Sequence, residues 1–248
     1  MKKLLAKERR SIYSLGPAFR SGEQGERHQS EFMMLEWYRL GLDLLQLEVE
    51  IGNLIATLCE AFGKPFSIPQ RVSYQALFLE RFGINPHVAS RRELQELLDK
   101  NFPDLVGHIH PFEATPNDLL DSLFSFGIEP NLVTPTFVFD FPASQASLAK
   151  IRQRDHPVAL RTELFWQGME LANGYDELRD GQELRLRIQQ DNLVRESAGL
   201  PVIEVDEALI VALDELPECT GVALGVDRLL MIILGAKQLA DVQSFQFL

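Results

Sequence analysis

The sequence predicts an α+β protein built around an antiparallel sheet. Residues 10–40 and 161–178 read as strand–turn–strand hairpins. Long stretches between and after them carry apolar residues at helical spacing. Strands and helices do not alternate strictly, which argues against a doubly wound parallel fold. The composition agrees, since 46% of the 248 residues are hydrophobic and 24% charged, the balance of a soluble globular protein with a full core.

Residues 10–20 form the first strand, interrupted by Gly16-Pro17. The polar, Gly-containing stretch 21–31 is a loop, and 32–40 return as a strand. Alternation puts Phe32, Met34, Glu36 and Tyr38 on one face and the apolar Met33, Leu35 and Trp37 on the core face. Leu44, Leu45, Leu47, Ile51, Leu54, Ile55 and Leu58 mark a helix over 42–62, stopped by Gly63 and Pro65. Glu48 and Glu50 fall on its solvated side. Residues 66–130 form a small, mostly helical insert with helices at 91–101 and 117–126. Residues 136–141 are a strand ended by Pro142. The second hairpin has its tip at Trp166-Gln167-Gly168; helices follow over 180–197 and 206–215. Residues 221–235 run from a Gly-containing strand into a buried helix.

Charge and composition exclude several functions. With 36 acidic and 24 basic residues the net charge is −12, unsuited to broad nucleic-acid binding. The longest apolar runs, such as 229–234, are about six residues, too short to span a membrane. No apolar signal core follows the basic start. Two cysteines, Cys59 and Cys219, make neither a disulfide framework nor a metal site. The expectation is a reducing, cytoplasmic, enzyme-sized protein.

Several residues are candidates for chemistry. The face carrying Phe32, Glu36 and Tyr38 suits a planar, cationic ligand, or is an ordinary solvent-facing strand. Across the second hairpin Glu163 and Glu170 fall nearly opposite each other. Opposed like charges are destabilising, and Mg²⁺ would relieve them; solvated acids are the alternative. A bend at Asn173-Gly174 would turn Asn173 and Glu177 into the same pocket. Arg228, after Gly221 and Gly225, opens an apolar helix and calls for a phosphate or carboxylate partner, or for an ion pair with an acid such as Asp227. His108 and His110 read as surface histidines, since no third ligand stands nearby.

Three ordered segments resemble one family. Residues 18–38 (AFRSGEQGERHQSEFMMLEWY) resemble motif 2 of class II aminoacyl-tRNA synthetases in its lysyl form. Residues 163–178 (ELFWQGMELANGYDEL) resemble the lysine-pocket segment, and 221–230 (GVALGVDRLL) resemble motif 3. FPASQASLA (141–149) and QDNLVRESAGLP (190–201) are similar to the paralogous branch that ligates (R)-β-lysine to elongation factor P. The resemblance runs from end to end of the chain and implies one catalytic domain over 1–248 carrying the insert at about 66–130.

The resemblance implies an ATP-dependent, AMP-forming ligase. It activates lysine or (R)-β-lysine as an adenylate and passes it to a lysine of elongation factor P, with no tRNA. It implies that Arg20 and Arg228 are catalytic, contacting phosphates, and that Phe32 stacks on adenine. Ser21, Gly22, His28, Gln29, Leu171 and Gly225 join them around ATP. Glu163 and Glu170 hold Mg²⁺ and ATP. Glu36, Tyr38, Asn173 and Glu177 form the amino-acid pocket, with Tyr38 and Glu177 on the side-chain ammonium. Ala223, where tRNA-charging enzymes have glycine, narrows the pocket in favour of the β-amino isomer.

Three departures accompany the match. Motif 1 is absent, so the chain reads as N-terminally truncated and its homodimer is in doubt. The motif 2 Arg-x-Glu is Arg20-Ser21-Gly22, with Glu23 adjacent. The usual Asn-Pro of the ATP loop is Gln29-Ser30. These departures keep two other readings open: a lysyl-adenylate former with another acceptor, and an inactive synthetase-like binding module.

Overall fold

The computed structural model describes residues 1–22, 25–105 and 114–243. Glu23, His108 and His110 lie outside them. The described strands are β1 (Ile12–Phe19), β2 (Glu31–Leu40), β3 (Gln70–Ser73), β4 (Thr136–Pro142), β5 (Ile151–Arg152), β6 (Val158–Trp166), β7 (Met169–Asp176) and β8 (Cys219–Gly225). The helices are α1 (Lys2–Glu8), α2 (Leu44–Ala61), α3 (Tyr74–Phe82), α4 (Arg91–Asn101), α5 (Pro116–Gly127), α6 (Gly181–Ser197), α7 (Glu207–Asp214) and α8 (Val226–Leu234). None is long and apolar enough to cross a membrane.

The strands form one mixed sheet in the order β1-β2-β8-β7-β6-β4-β3, with β5 paired to β6. Both expected hairpins are present. Pro17 is accommodated in β1 because this is an edge strand, where its missing amide breaks no ladder. The antiparallel expectation fails at one place, where β3 runs parallel to β4. Parallel neighbours need a long crossover, and the chain between them supplies one through α3, α4 and α5.

Register explains why the two faces differ. Leu35, Leu224, Ala172, Leu164 and Phe137 pair in sequence across β2, β8, β7, β6 and β4. They pack with Leu47, Ile51 and Ile55 of α2 and Leu229 of α8. Spacing by four puts the three α2 residues on one stripe, and each fully buried one contributes about 1.5–3 kcal/mol. Asp43 starts α2 with a reciprocal capping box to Gln46. Trp37 lies in the same core, on the face that alternation assigns it.

Glu48 overturns its reading as solvated. It is 3% exposed, accepting from Arg71 Nε at 2.6 Å and Thr162 Oγ1 at 2.8 Å. Two strands distant in sequence supply the partners that let a carboxylate stay buried. Glu50 keeps a half-exposed ion pair with Arg39 at 3.1 Å.

A second core gathers Tyr74, Phe78, Phe124, Phe141 and Phe165 where α3 and α5 meet β4 and β6. Helix α4 starts at a Ser90–Glu93 capping box and α5 at a Thr115–Asp118 box with Pro116 leading. A third core packs Leu5 and Ala6 of α1 with Leu184 of α6, Leu213 of α7 and the ring of Tyr38. This third core closes one end of the sheet's other face.

Candidate active site

The face turned away from α2 carries two cross-strand rows. Glu36, Ala223, Asn173 and Glu163 pair successively across β2, β8, β7 and β6. Tyr38, Gly221, Tyr175 and Arg161 form the next row, two residues along each strand. Strand alternation therefore gathers four predicted residues into one line. It also adds Gly221, Tyr175 and Arg161, which lie two residues from Ala223, Asn173 and Glu163 and were legible by the same period.

Glu163 and Glu170 are not directly opposite. A bulge at Leu171 pairs Phe165 with Glu170 and Leu164 with Ala172, leaving Glu163 opposite Asn173. The extra residue reverses the alternation, so Glu170 and Asn173 share a face although three apart. The predicted irregularity is thus real but falls at Leu171, not at Asn173-Gly174.

An open cavity of about 240 Å³ lies over this face. Arg20, His28, Gln29, Phe32, Glu170, Leu171, Asn173, Ala223, Gly225 and Arg228, all predicted, line it; Arg27, Met34, Tyr175 and Asp227 are additions. The Arg20 guanidinium stands 5.8 Å from the Phe32 ring centre. Arg228 donates to the main-chain oxygens of Glu170 at 2.9 Å and Arg27 at 3.3 Å. Asp227 is not its partner, because the Asp227 carboxylate accepts from the Met33 amide at 2.8 Å. These bonds fix the start of α8 against β2 and point Arg228 across the cavity. Ser21 and Gly22 lie on an exposed turn outside the lining, where the tight turn after Arg20 carries them away.

Glu163 also lies outside this cavity and borders a neighbouring one that shares Glu170. Its Oε1 accepts from Asn173 Nδ2 at 2.7 Å and from Arg161 Nη2. Burial pushes its carboxyl up; Arg161 pulls it down and Glu170 pushes it up again. Burial, with the Glu170 charge, pushes the nearby Glu129 up to about 7. This crowding of carboxylates fits a divalent cation with hard oxygen ligands. Among the described residues no three His, Cys, Asp or Glu side chains form a metal-holding group. Glu163 and Glu170, which border the same cavity, are the two acids here that would hold such an ion.

Glu36, Tyr38 and Glu177 extend the face beyond the cavity lining. Tyr38 and Glu177 are 8% and 1% exposed, because α1 closes over them. Lys2 of α1 reaches Glu177 Oε2 at 2.6 Å, a contact with no signal in sequence spacing. Burial raises the Glu177 carboxyl and Lys2 lowers it; burial and Glu177 both raise the Tyr38 hydroxyl. Gly221 is required here, since a Cβ would strike both Glu177 Oε1 and the Tyr38 ring.

A mixed sheet whose polar face joins an arginine-rimmed, aromatic cavity to buried acids is the architecture of a nucleotide- and amino-acid-activating domain. The chain belongs to the class II tRNA synthetases (D, K and N), whose family model matches residues 1–247. Among its relatives is the elongation factor P–(R)-β-lysine ligase of Photorhabdus laumondii, 46% identical over 250 residues, covering 99% of this chain and 74% of the relative. The ligases of that name from Yersinia enterocolitica and Proteus mirabilis are 46% and 45% identical, each with the same coverage of both chains.

Proposed function

We propose that this chain is an ATP-dependent, AMP-forming ligase that activates (R)-β-lysine and transfers it to a lysine side chain of elongation factor P. The row Glu36–Ala223–Asn173–Glu163, whose two middle members line a cavity rimmed by Arg20, Phe32 and Arg228, is the observation that carries this reading. Its identity with ligases of that name supports the choice of amino acid and acceptor.

In the first step a carboxylate oxygen of the amino acid attacks the α-phosphorus of ATP. The new P–O bond forms the adenylate and pyrophosphate leaves with the electron pair of the broken one. Phe32 holds the adenine by stacking, with His28, Gln29, Leu171 and Gly225 around the nucleotide. Arg20 and Arg228 stabilise the charge that develops on the phosphates. Glu163 and Glu170 would hold Mg²⁺, which would supply charge neutralisation for the triphosphate. Tyr38 and Glu177 receive the side-chain ammonium, which shares Glu177 with Lys2. Glu36 and Asn173 orient the amino-acid head, and the Ala223 methyl between them favours the β-amino isomer. In the second step the acceptor amine attacks the acyl carbon and AMP leaves. A net charge of −12 supports a protein acceptor over tRNA.

A second reading, an inactive synthetase-like binding module, is favoured by one observation: Lys2 already occupies Glu177. Intact-mass measurement of elongation factor P after incubation with the chain, ATP, Mg²⁺ and (R)-β-lysine separates the two. One β-lysyl adduct, absent without ATP, is expected; an unmodified acceptor beside retained ATP binding would contradict the ligase and support the module.

A further inference from the structure

Helix α1 lies over the end of the sheet where Tyr38 and Glu177 are buried. Its first two lysines meet different partners. Lys3 reaches Asp206, the cap of α7, at 2.6 Å, with both side chains half exposed. Lys2 reaches Glu177 Oε2 at 2.6 Å, with side chains only 10% and 2% exposed. Anchorage of α1 comes from elsewhere: Leu5 and Ala6 pack in the core with Leu213, and Arg9 donates to the Glu215 main-chain oxygen at 3.4 Å. Desolvating an ammonium is costly, so a buried Lys–Glu pair is weak evidence of a purely stabilising role.

The two oxygens of Glu177 have different neighbours. Oε2 meets Lys2, whereas Oε1 lies over Gly221 beside the Tyr38 ring, where a Cβ would collide with it. Gly221 stands two residues from Ala223 on β8, and Ala223 lines the larger cavity. Two strand residues span about 6.6 Å, close to the reach of an extended lysine side chain. The row of Glu36, Ala223 and Asn173 and the row of Tyr38 and Gly221 therefore form a ruler. The amino-acid head lies at the first row and its side-chain ammonium at Oε1, over the second. Across the carboxylate from Oε1 stands the Lys2 charge. The other lysine near Glu177, Lys150, is committed to Asp176 at 2.6 Å. An ammonium carried one methylene farther would meet a like charge where little water screens it.

We propose that Lys2 is a specificity-determining residue: by holding Glu177 Oε2 it leaves Oε1 for one substrate ammonium, and its own charge forms the far wall that rejects a longer cationic side chain. The inference deepens the proposed ligase activity and rests on its placement of the substrate ammonium at Glu177 and Tyr38. Lys2 touches Glu177 and not the reacting atoms, so it acts on the choice of amino acid and not on the chemistry of adenylation. Its contact with Glu177 thereby has a role in an active enzyme, in which the carboxylate is shared between two cations.

ATP–pyrophosphate exchange on the full chain is measured with (R)-β-lysine, with its homologue one methylene longer, and with its analogue bearing a methyl in place of the distal ammonium. The quantity read is kcat/KM for (R)-β-lysine over that for the homologue, a ratio that a loss of stability alone does not move. The parent is expected to favour (R)-β-lysine roughly 10- to 200-fold. Lys2→Met, which keeps an apolar stem and removes the charge, is expected to lower that preference about tenfold, and Lys2→Arg, which keeps a cation on Oε2, to retain it. Lys2→Gln, still a donor to Oε2 but uncharged, is expected to match Lys2→Met and replaces it should that variant not fold. A parent that uses the homologue as well as (R)-β-lysine, or an unaltered preference in the folded uncharged variants, overturns the wall. Two results in the parent alone overturn what lies beneath it, and the wall with it. Exchange driven equally well by the methyl analogue overturns the placement of the ammonium at Glu177, and absence of exchange with any of these amino acids overturns the ligase activity.

Discussion

Gly221 offers a severe test of the amino-acid pocket. In Gly221→Ala the new Cβ would stand 2.5 and 2.7 Å from two ring carbons of Tyr38 and in collision with Glu177 Oε1. Real Cβ contacts essentially never fall below 3.0 Å, so something must move. Tyr38 is locked in the core formed with Leu5, Leu184 and Leu213, and Glu177 is pinned by Lys2. Overpacking of this kind costs about 1–3 kcal/mol. Expressed on the pocket, that weakens amino-acid binding roughly 5- to 150-fold. The assay is pyrophosphate exchange with the amino acid varied at saturating ATP, then with ATP varied at saturating amino acid. The KM for the amino acid should rise within that range while the KM for ATP stays unchanged. An unaltered amino-acid KM in a variant that melts like the parent would refute the placement of Glu177 and Tyr38 in the pocket.

Other perturbations probe neighbouring parts of the face. Glu177→Gln removes a carboxylate of the same shape and should weaken amino-acid activation while leaving ATP binding, read by calorimetry, intact; equal loss of both would contradict its role. Ala223→Gly removes the one methyl between Glu36 and Asn173 and should shift the ratio of exchange rates toward α-lysine; a constant ratio would show that the methyl sets nothing. Arg161→Met leaves the buried Glu163 without its cation, which costs about 3–5 kcal/mol and should lower the melting temperature and the affinity for Mg²⁺ measured with ATP absent. His87 has its pKa lowered, by burial and then by His156. Its stabilising contribution is complete above the unfolded pKa of about 6.5 and is lost as pH falls through the lower folded value. A His87→Gln variant should therefore lose less melting temperature than the parent on acidification below pH ~6.5; parallel curves would contradict this.

The sequence was most informative where one period governs one element. Alternation placed Phe32, Glu36 and Tyr38 on one face and Trp37 on the other, and cross-strand pairing then carried Glu36 to Ala223, Asn173 and Glu163. Helices α4 and α5, expected at 91–101 and 117–126 from their amphipathic spacing, start at Arg91 and Pro116, where Ser90 and Thr115 cap them with side chains three residues on. What escaped were features made by residues far apart. Strand β3, four residues long and rich in polar side chains, carries no apolar run and exists through its parallel partner β4. Glu48 has the spacing of a solvated helix face, yet Arg71 and Thr162 make it a buried anion. The Leu171 bulge has no residue signature, whereas Asn-Gly two residues later does. Lys2 and Glu177 are joined only because α1 packs beside β8 through the core around Tyr38 and Cys219.

The central claim is that this face forms an aminoacyl-adenylate from a lysine-type amino acid. The most direct measurement is amino-acid-dependent ATP–pyrophosphate exchange on the chain, comparing (R)-β-lysine with α-lysine. Exchange driven best by (R)-β-lysine is the predicted result. Exchange driven best by α-lysine would contradict the role given to Ala223, and no exchange with either amino acid would contradict the claim itself.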